Sequence, residues 1–176
     1  MRRILATALL LAAAPAFATL APGAKAPDFT AKGAQAGKPI TISLGSALKK
    51  GPVVLYFFPA AFTGGCNAEA HAFAEATDDF RKAGATVIGM TAGNVDQLER
   101  FSAEKCAGKF AVAAATPAIV RAYDVSLGRK TPMGDLTSRT SYVIGRNGRV
   151  AFVHSDMNPA DHVKETLAAV RRVGER

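Results

Sequence analysis

The sequence predicts one α/β domain in which helices pack against a mixed β-sheet. Residues 53–58 are aliphatic or aromatic without polar alternation, which is typical of a strand buried on both faces. Residues 85–90 predict a second buried strand, and a stretch rich in helix-forming residues separates the two. Residues 141–144 and 150–154 flank Asn147-Gly148, a strong signal for the turn of a β-hairpin. Helices that alternate with buried strands and finish in a hairpin indicate an α/β sandwich with a mixed sheet.

The first eighteen residues are predicted to be a cleaved signal peptide. They have the parts that secretion requires, namely a basic start at Arg2-Arg3, an apolar run over residues 4–14 and a small-residue cleavage site at Ala16-Phe17-Ala18. The apolar run is shorter than the roughly 20 residues that span a bilayer. We therefore expect cleavage near Ala18 and a mature protein of one domain, residues 19–176, that is exported to the bacterial periplasm without a membrane anchor.

Before the central strand, the pattern predicts short elements. Residues 31–39 contain glycine, lysine and proline and indicate a turn, and residues 40–42 alternate like a short strand. Residues 43–50 are expected to form a short helix or turn.

Between the cysteines, helices are expected to alternate with strands. The helix after Cys66 should carry Glu69 in its first turn and end at Gly84. A second helix should start at Asn94 as its cap, with a buried stripe of Val95, Leu98 and Phe101. Residues 110–113 predict a weaker strand.

The last third of the chain should contain two helices around a loop and the hairpin. Thr116-Pro117 is typical of a helix start, with threonine as cap and proline in the first turn. Residues 128–137 indicate a loop. Asn158-Pro159 is expected to open the final helix, with Val163, Leu167 and Val170 buried.

Charge and composition argue against several classes of ligand. The chain carries a formal charge of +8, but its basic residues are scattered and it contains no tryptophan, so neither a compact nucleic-acid patch nor a stacking platform is indicated. His71, His154 and His162 lack metal-ligand spacing and are interpreted as surface or helix-face residues. Gly64-Gly65 is too short to indicate a phosphate loop. We expect neither a metal nor a cofactor.

The residue that we expect to carry the chemistry is Cys66. It follows the buried strand and a loop of small residues and stands where a helix begins. A helix start presents unpaired N–H groups and a partial positive charge, which favour a thiolate, the reactive form of cysteine. A buried cysteine can also be a small apolar residue without chemistry. Thr63, Gly64, Gly65 and Pro59 around the sulfur favour the reactive interpretation.

The pattern Pro59-x-x-x-Thr63-x-x-Cys66-x-x-Glu69 resembles the active-site motif of the peroxiredoxins, most closely their bacterioferritin-comigratory (PrxQ) branch. The segment Arg139-Thr140-Ser141-Tyr142 is similar to a second motif of that family, and the likeness covers nearly the whole mature chain. The resemblance implies a thioredoxin-like fold, with a central mixed β-sheet flanked by helices on both faces. It also implies reduction of hydrogen peroxide and organic hydroperoxides by a cysteine that becomes a sulfenic acid.

The resemblance also assigns roles to the other motif residues. Thr63, the N–H groups of Gly65 and Cys66, and the Arg139 guanidinium would contact the peroxide. Pro59 would shield the sulfur, and Glu69 would orient Arg139.

The step that follows converts the sulfenic acid into a disulfide, and we assign it to Cys106, the second of two cysteines. This cysteine is called the resolving cysteine. An even pair in an exported protein is typical of a structural disulfide, but the motif around Cys66 favours a disulfide that forms during turnover. Cys106 lies about one helical turn later than the resemblance implies, so a one-cysteine enzyme stays an alternative. The expected partners are a peroxide and a thioredoxin-like or small-thiol reductant, for a protein that is a monomer or a homodimer.

Three rival functions are compatible with the predicted fold. A thioredoxin-like disulfide oxidoreductase needs a second cysteine three residues after Cys66, where Glu69 stands. A copper-delivery protein needs one four residues after it, where Ala70 stands. A binding protein without catalytic activity is the third alternative, and a peroxide-consumption assay separates it from a peroxidase.

Overall fold

A computed structural model of the chain describes residues 19–174, and the predicted signal peptide at residues 1–18 lies outside the described residues. The sheet has seven strands in the order β2-β1-β5-β4-β3-β8-β9. Its parallel centre, β3 with β4 and β4 with β5, is flanked by antiparallel strands on both sides, so the predicted mixed sheet is confirmed. Within the described range, no helix combines the length and apolarity that crossing a bilayer demands.

The elements follow one another in this order along the chain: β1 (Thr30–Gln35), β2 (Lys38–Ser43), α1 (Leu44–Leu48), β3 (Val53–Phe57), α2 (Gly64–Lys82), β4 (Thr86–Thr91), α3 (Leu98–Glu104), β5 (Ala111–Ala114), α4 (Pro117–Ala122), β6 (Ser126–Thr131), β7 (Gly134–Thr137), β8 (Thr140–Ile144), β9 (Val150–Ser155) and α5 (His162–Gly174). One turn of 3₁₀ helix, Val95–Gln97, precedes α3. Strands β6 and β7 form a separate two-stranded sheet.

The core has two layers, one on each face of the sheet. All five residues of β3 are fully buried, and successive side chains enter opposite layers. Val53, Leu55 and Phe57 pack towards α1 and α4, while Val54 and Tyr56 pack towards α2, α3 and α5. Helices therefore cover both faces of the sheet, as predicted.

Two predicted irregular segments are in fact paired strands. Residues 31–39, predicted as a turn, belong mostly to β1 and β2, which reverse at Ala36-Gly37, where both residues have positive φ. Residues 128–137, predicted as a loop, lie largely in the β6–β7 hairpin. Both predictions were wrong because residues 31–39 and 128–137 are poor in the β-branched and aromatic residues by which strands are recognised.

Several helix details also differ from the prediction. α2 begins at Gly64, so Glu69 lies in its second turn rather than its first. The Asn94 side chain does not cap a helix but donates to the carbonyl oxygen of Ala61 at 2.8 Å, and Val95 is exposed. α5 begins at His162, three residues after Pro159. Its buried residues include Val170, whereas Val163 and Leu167 are only partly buried.

Candidate active site

Cys66 is the third residue of α2 and lies at the carboxyl end of the buried strand β3. Its side chain is almost fully buried, and it packs in the apolar layer between the sheet and α2. The first backbone hydrogen bond of the helix runs from Asn67 N–H to Thr63 C=O at 2.8 Å. The N–H groups of Gly65 and Cys66 precede that bond and therefore have no partner within the helix.

Arg139 approaches the sulfur from the other end of the chain. It stands directly before β8, and the antiparallel register that pairs Thr140 with Phe57 brings it to the end of β3 that leads to Cys66. Its Nη2 lies 3.7 Å from Cys66 Sγ, a hydrogen-bonding contact for sulfur. Since a guanidinium is always charged, it favours the thiolate over the thiol.

Two acceptors fix the guanidinium in place. Arg139 Nε donates to the carbonyl oxygen of Met157 at 2.9 Å, and Nη1 forms a short ion pair with Oε2 of Glu69. Arg139 is 4% exposed and Glu69 is 1% exposed, so the pair is shielded from water. Burial raises the pKa of the Glu69 carboxyl to about 7, although the contact with Arg139 opposes that rise.

The loop between β3 and α2 holds the remaining motif residues. The Thr63 hydroxyl donates to the carbonyl oxygen of Ala60 at 3.1 Å, which leaves its oxygen lone pairs free to accept a hydrogen bond. The loop is anchored by Thr91, whose hydroxyl donates to the carbonyl oxygen of Pro59 at 3.0 Å. Pro59 is half-buried beside the site. Gly65 faces the guanidinium closely, because a Cβ built on it would lie 3.1 Å from Arg139 Nη2.

Cys106 is a free thiol that forms no disulfide with Cys66. It lies just after α3, is fully buried, and shares the apolar layer that contains the first sulfur. Burial raises the pKa of the Cys106 thiol, so this thiol is a poor nucleophile in this conformation. Ala107 and Gly108, the two residues that follow, both have positive φ.

Sequence reasoning missed His162, which was wrongly interpreted as a surface or helix-face residue. Its side chain is fully buried, and Nδ1 lies 3.7 Å from Oε1 of Glu69 and 2.8 Å from Oγ of Ser141. Nε2 lies 2.9 Å from the carbonyl oxygen of Asp156. Among residues 19–174, no cluster of three or more histidine, cysteine, aspartate and glutamate side chains could hold a metal ion.

The burial of His162 has a consequence for stability against acid. Burial lowers the pKa of this imidazole from 6.5 to about 4, while its hydrogen bond to Asp156 opposes the shift. The associated stability is present above pH 6.5 and is lost as the pH falls towards 4. Between pH 6.5 and 4, His162 should lower the unfolding free energy of the wild type by up to about 3 kcal/mol. In His162→Gln this part of the decrease should be absent, as measured by urea denaturation.

The same comparison in a Glu69→Gln background isolates this effect from that of Glu69. The raised pKa of Glu69 acts with the opposite sign, since its contribution to stability grows as the pH falls from 7, and Glu69→Gln removes it from both proteins. Equal slopes of unfolding free energy against pH in the two proteins would contradict the prediction.

Comparison with known proteins identifies the family to which the chain is similar. The model of a family described as the AhpC/TSA family matches residues 22–153. The chloroplastic peroxiredoxin Q of Sedum lineare is 35% identical over 153 residues, which are 86% of this chain and 78% of that protein. The chloroplastic peroxiredoxin Q of Triticum aestivum is also 35% identical over 153 residues, 86% of this chain and 67% of that protein.

Solved structures show the same architecture. The crystal structure of peroxidoxin BcpB from Mycobacterium tuberculosis superposes with a TM-score of 0.74 at 28% identity, covering 88% of this chain and 98% of that one. A structure of Xanthomonas campestris peroxiredoxin Q has a TM-score of 0.68 at 24% identity, covering 81% of this chain and 90% of that one, and supports the fold alone.

Proposed function

The chain belongs to the AhpC/TSA family and is a thiol-dependent peroxidase of the peroxiredoxin type, and on that premise we propose that Cys66 is its peroxidatic cysteine. The observation that carries this assignment is the 3.7 Å contact between Arg139 Nη2 and Cys66 Sγ at the amino end of α2. A fixed cation and unpaired helix N–H groups together favour the thiolate that attacks a peroxide.

The reaction moves charge from sulfur to oxygen. The Cys66 thiolate attacks one oxygen of the peroxide, the O–O bond breaks, and the sulfur becomes a sulfenic acid. The other oxygen leaves with the electron pair and takes up a proton to give water or an alcohol. Groups that stabilise negative charge on the leaving oxygen therefore lower the barrier most.

Three kinds of donor and acceptor surround the place where the peroxide must lie. The N–H groups of Gly65 and Cys66 point out of the helix start, and the Thr63 oxygen has free lone pairs for the O–H of the peroxide. Arg139 contacts the sulfur and, through its fork of N–H groups, can hold an oxygen at the same time. Glu69 orients the arginine. Pro59, whose carbonyl oxygen is held by Thr91, is proposed to shield the sulfur.

The sulfenic acid is resolved, in our proposal, by Cys106. We expect the first turn of α2 and the end of α3 to unwind locally after oxidation, so that the two Cα atoms reach the separation of about 7 Å or less that a disulfide requires. Two features support that change: α3 has only seven residues, and the backbone after Cys106 has two consecutive residues with positive φ. Exposure to water would also remove the burial that raises the pKa of the Cys106 thiol.

Mass spectrometry of peroxide-treated protein tests both assignments. With one equivalent of hydrogen peroxide, we expect an internal Cys66–Cys106 disulfide in wild type. In Cys106→Ala we expect a sulfenic acid on Cys66 that dimedone traps. Sulfenic acid confined to Cys106 would contradict the peroxidatic assignment. A mixed disulfide between Cys66 and added thiol, without an internal link, would instead indicate a one-cysteine enzyme.

Two adjacent glycines provide a matched test of the guanidinium position. A methyl group on Gly65 would lie 3.1 Å from Arg139 Nη2, whereas one on Gly64 would meet nothing within 4 Å. Because other contacts fix Arg139, we expect Gly65→Ala to slow Cys66 oxidation by about tenfold, less than the roughly 10²-fold loss that a misplacement of about 1 Å can cause. We expect Gly64→Ala to retain the rate and to stabilise α2 by up to about 1 kcal/mol. Equal oxidation rates in the two variants would contradict the prediction.

The proposed setting is the bacterial periplasm, with residues 1–18 removed. The motif of the signal peptide supports this location, and amino-terminal sequencing of the protein recovered from a periplasmic fraction tests it. The reductant is proposed to be a thioredoxin-like protein or a small thiol. Light scattering during size-exclusion chromatography distinguishes the monomer from the homodimer.

A further inference from the structure

A buried row of polar side chains continues past the peroxidatic sulfur. It runs from Cys66 through Arg139 and Glu69 to His162, and the side chains of Glu69 and His162 are inaccessible to water. The function proposed above uses the first three residues. His162 is a buried titratable group that it leaves without a role.

The hydrogen bonds of His162 define its tautomer. The carbonyl oxygen of Asp156, 2.9 Å from Nε2, can only accept, so Nε2 carries a hydrogen. A neutral imidazole of this tautomer has a lone pair at Nδ1, which accepts from the Ser141 hydroxyl at 2.8 Å. The same Nδ1 faces Oε1 of Glu69 at 3.7 Å. If Glu69 is ionised, two acceptors oppose each other there.

Oε1 of Glu69 also has no hydrogen-bond partner among the described residues. A buried carboxylate oxygen without a donor is costly, because it has lost water and gained nothing in exchange. Oε2 already accepts from Arg139, so only Oε1 is left to be satisfied. A hydrogen on Oε1 would turn the opposed acceptors into a hydrogen bond from Glu69 to Nδ1.

The summed charge of these buried side chains also favours a protonated Glu69. With Cys66 as thiolate and Glu69 ionised, two negative charges share the single positive charge of Arg139 in a buried site. The titratable or charged groups that face His162 are Glu69 from α2, Arg139 from the segment before β8, His154 from β9 and Asp156 from the segment after β9. One added proton makes the set of thiolate, guanidinium and carboxyl electrically neutral.

We propose that Glu69 carries a proton when Cys66 is a thiolate, and that Nδ1 of His162 is the acceptor that holds this proton on Oε1. Where Glu69 is ionised beforehand, the proton comes from the thiol, and one S–H bond is exchanged for one O–H bond. Where Glu69 is already protonated, the thiol proton leaves to water and the carboxyl keeps its own. His162 is thus a positioning residue that acts through Glu69 on the charge facing the sulfur. The proposal rests on the peroxidatic role of Cys66 given above.

The environments of the carboxyl and the imidazole support this distribution of protons. Burial raises the pKa of Glu69 to about 7, and burial lowers the pKa of His162 to about 4, so the proton belongs on the carboxyl and the imidazole stays neutral. The Ser141 hydroxyl can rotate away and release the lone pair of Nδ1 to the new donor.

The test compares two amide variants in a Cys106→Ala background, with thiolate absorbance near 240 nm followed against pH. In Glu69→Gln, the amide N–H donates permanently to Nδ1 while its oxygen accepts from Arg139, so we expect the midpoint of thiolate formation to move to lower pH. His162→Gln keeps a donor for Asp156 but lacks Nδ1. We expect its midpoint to rise by about one pH unit, a tenfold change in the thiol-to-thiolate ratio.

The double variant and a surface histidine complete the test. Because the amide introduced by Glu69→Gln needs no proton, His162→Gln should not raise the midpoint in that background. His71→Gln, which changes an exposed histidine of α2, should leave the midpoint unchanged. A midpoint raised by Glu69→Gln, or unaffected by His162→Gln, would overturn the proposal while the peroxidase assignment stands, since the absorbance does not depend on peroxide.

An NMR measurement on the unaltered enzyme provides a second check. The protein has three histidines, so imidazole ¹⁵N shifts can be assigned with the His71 variant and a His154 variant. We expect His162 to be neutral, with hydrogen on Nε2, at pH 7. A doubly protonated imidazole or an Nδ1–H tautomer would overturn the proposal.

Discussion

Replacement of Cys66 by serine is expected to abolish peroxide consumption, with a loss of more than about 10³-fold in rate. The serine hydroxyl is not ionised at neutral pH, so neither the Arg139 charge nor the helix start can produce a nucleophile from it. The measurement is hydrogen peroxide consumption in the presence of a thiol reductant, with the uncatalysed reaction subtracted.

The Cys106→Ala variant is the matched control for removal of a buried sulfur. It should oxidise Cys66 once at the wild-type rate, because Cys106 is a free thiol that acts, in our proposal, only after Cys66 has been oxidised. Persistent consumption by Cys66→Ser would move the activity away from this residue and would contradict its assignment as the peroxidatic cysteine.

Replacement of Arg139 by lysine is expected to slow Cys66 oxidation by about 10²-fold or more, the scale of losing a donor aimed at developing charge. Lysine keeps the charge but has no planar fork. It therefore cannot contact Cys66, Glu69 and the Met157 carbonyl together, as the guanidinium does. The rate of sulfenic acid formation, followed by rapid quenching and mass spectrometry, measures the loss.

The effect of an Arg139 substitution on the unfolding free energy must be separated from its effect on the rate of Cys66 oxidation. Truncation of Arg139 leaves Glu69 buried without its cation, which typically costs about 3–5 kcal/mol. The double variant Arg139→Met/Glu69→Gln removes both charges, so it should regain most of the unfolding free energy without regaining the rate. A double variant that oxidises as fast as wild type would show that the guanidinium is dispensable.

The parts of the fold that the sequence predicts well have strong local patterns. The apolar run of β3 and the Thr116-Pro117 start of α4 were both confirmed, and Oγ1 of Thr116 accepts from the N–H of Ile119 at 3.3 Å. β1 was missed because its small residues have low strand propensity. A glycine is required at position 33 of β1 for a steric reason, since a Cβ on Gly33 would lie 2.2 Å from the carbonyl oxygen of Val112. A glycine within a strand is the one signal that could have indicated this close approach.

The residues of the candidate site likewise fall into those that a local sequence pattern predicts and those that it does not. Thr63, Cys66 and Glu69 lie within one short motif, so local reasoning finds them, whereas Arg139 is 73 residues from Cys66 and was expected only from the family resemblance. No local pattern predicts the burial of His162, because the partners that satisfy it, Ser141 and Glu69, lie on β8 and α2. The spacing of residues along the chain cannot show a contact that only the register of the sheet creates.

The pairing of β8 with β3 also determines when the enzyme acquires its reactivity during biosynthesis. Residues 53–66 emerge from the ribosome long before residue 139, and a chain that has not yet inserted β8 beside β3 has a sulfur without its guanidinium. In the proposed export to the periplasm, a precursor held unfolded for translocation would lack the arrangement that activates Cys66. Pairing of β8 with β3 assembles it, so oxidation of this cysteine by peroxide should begin only after folding.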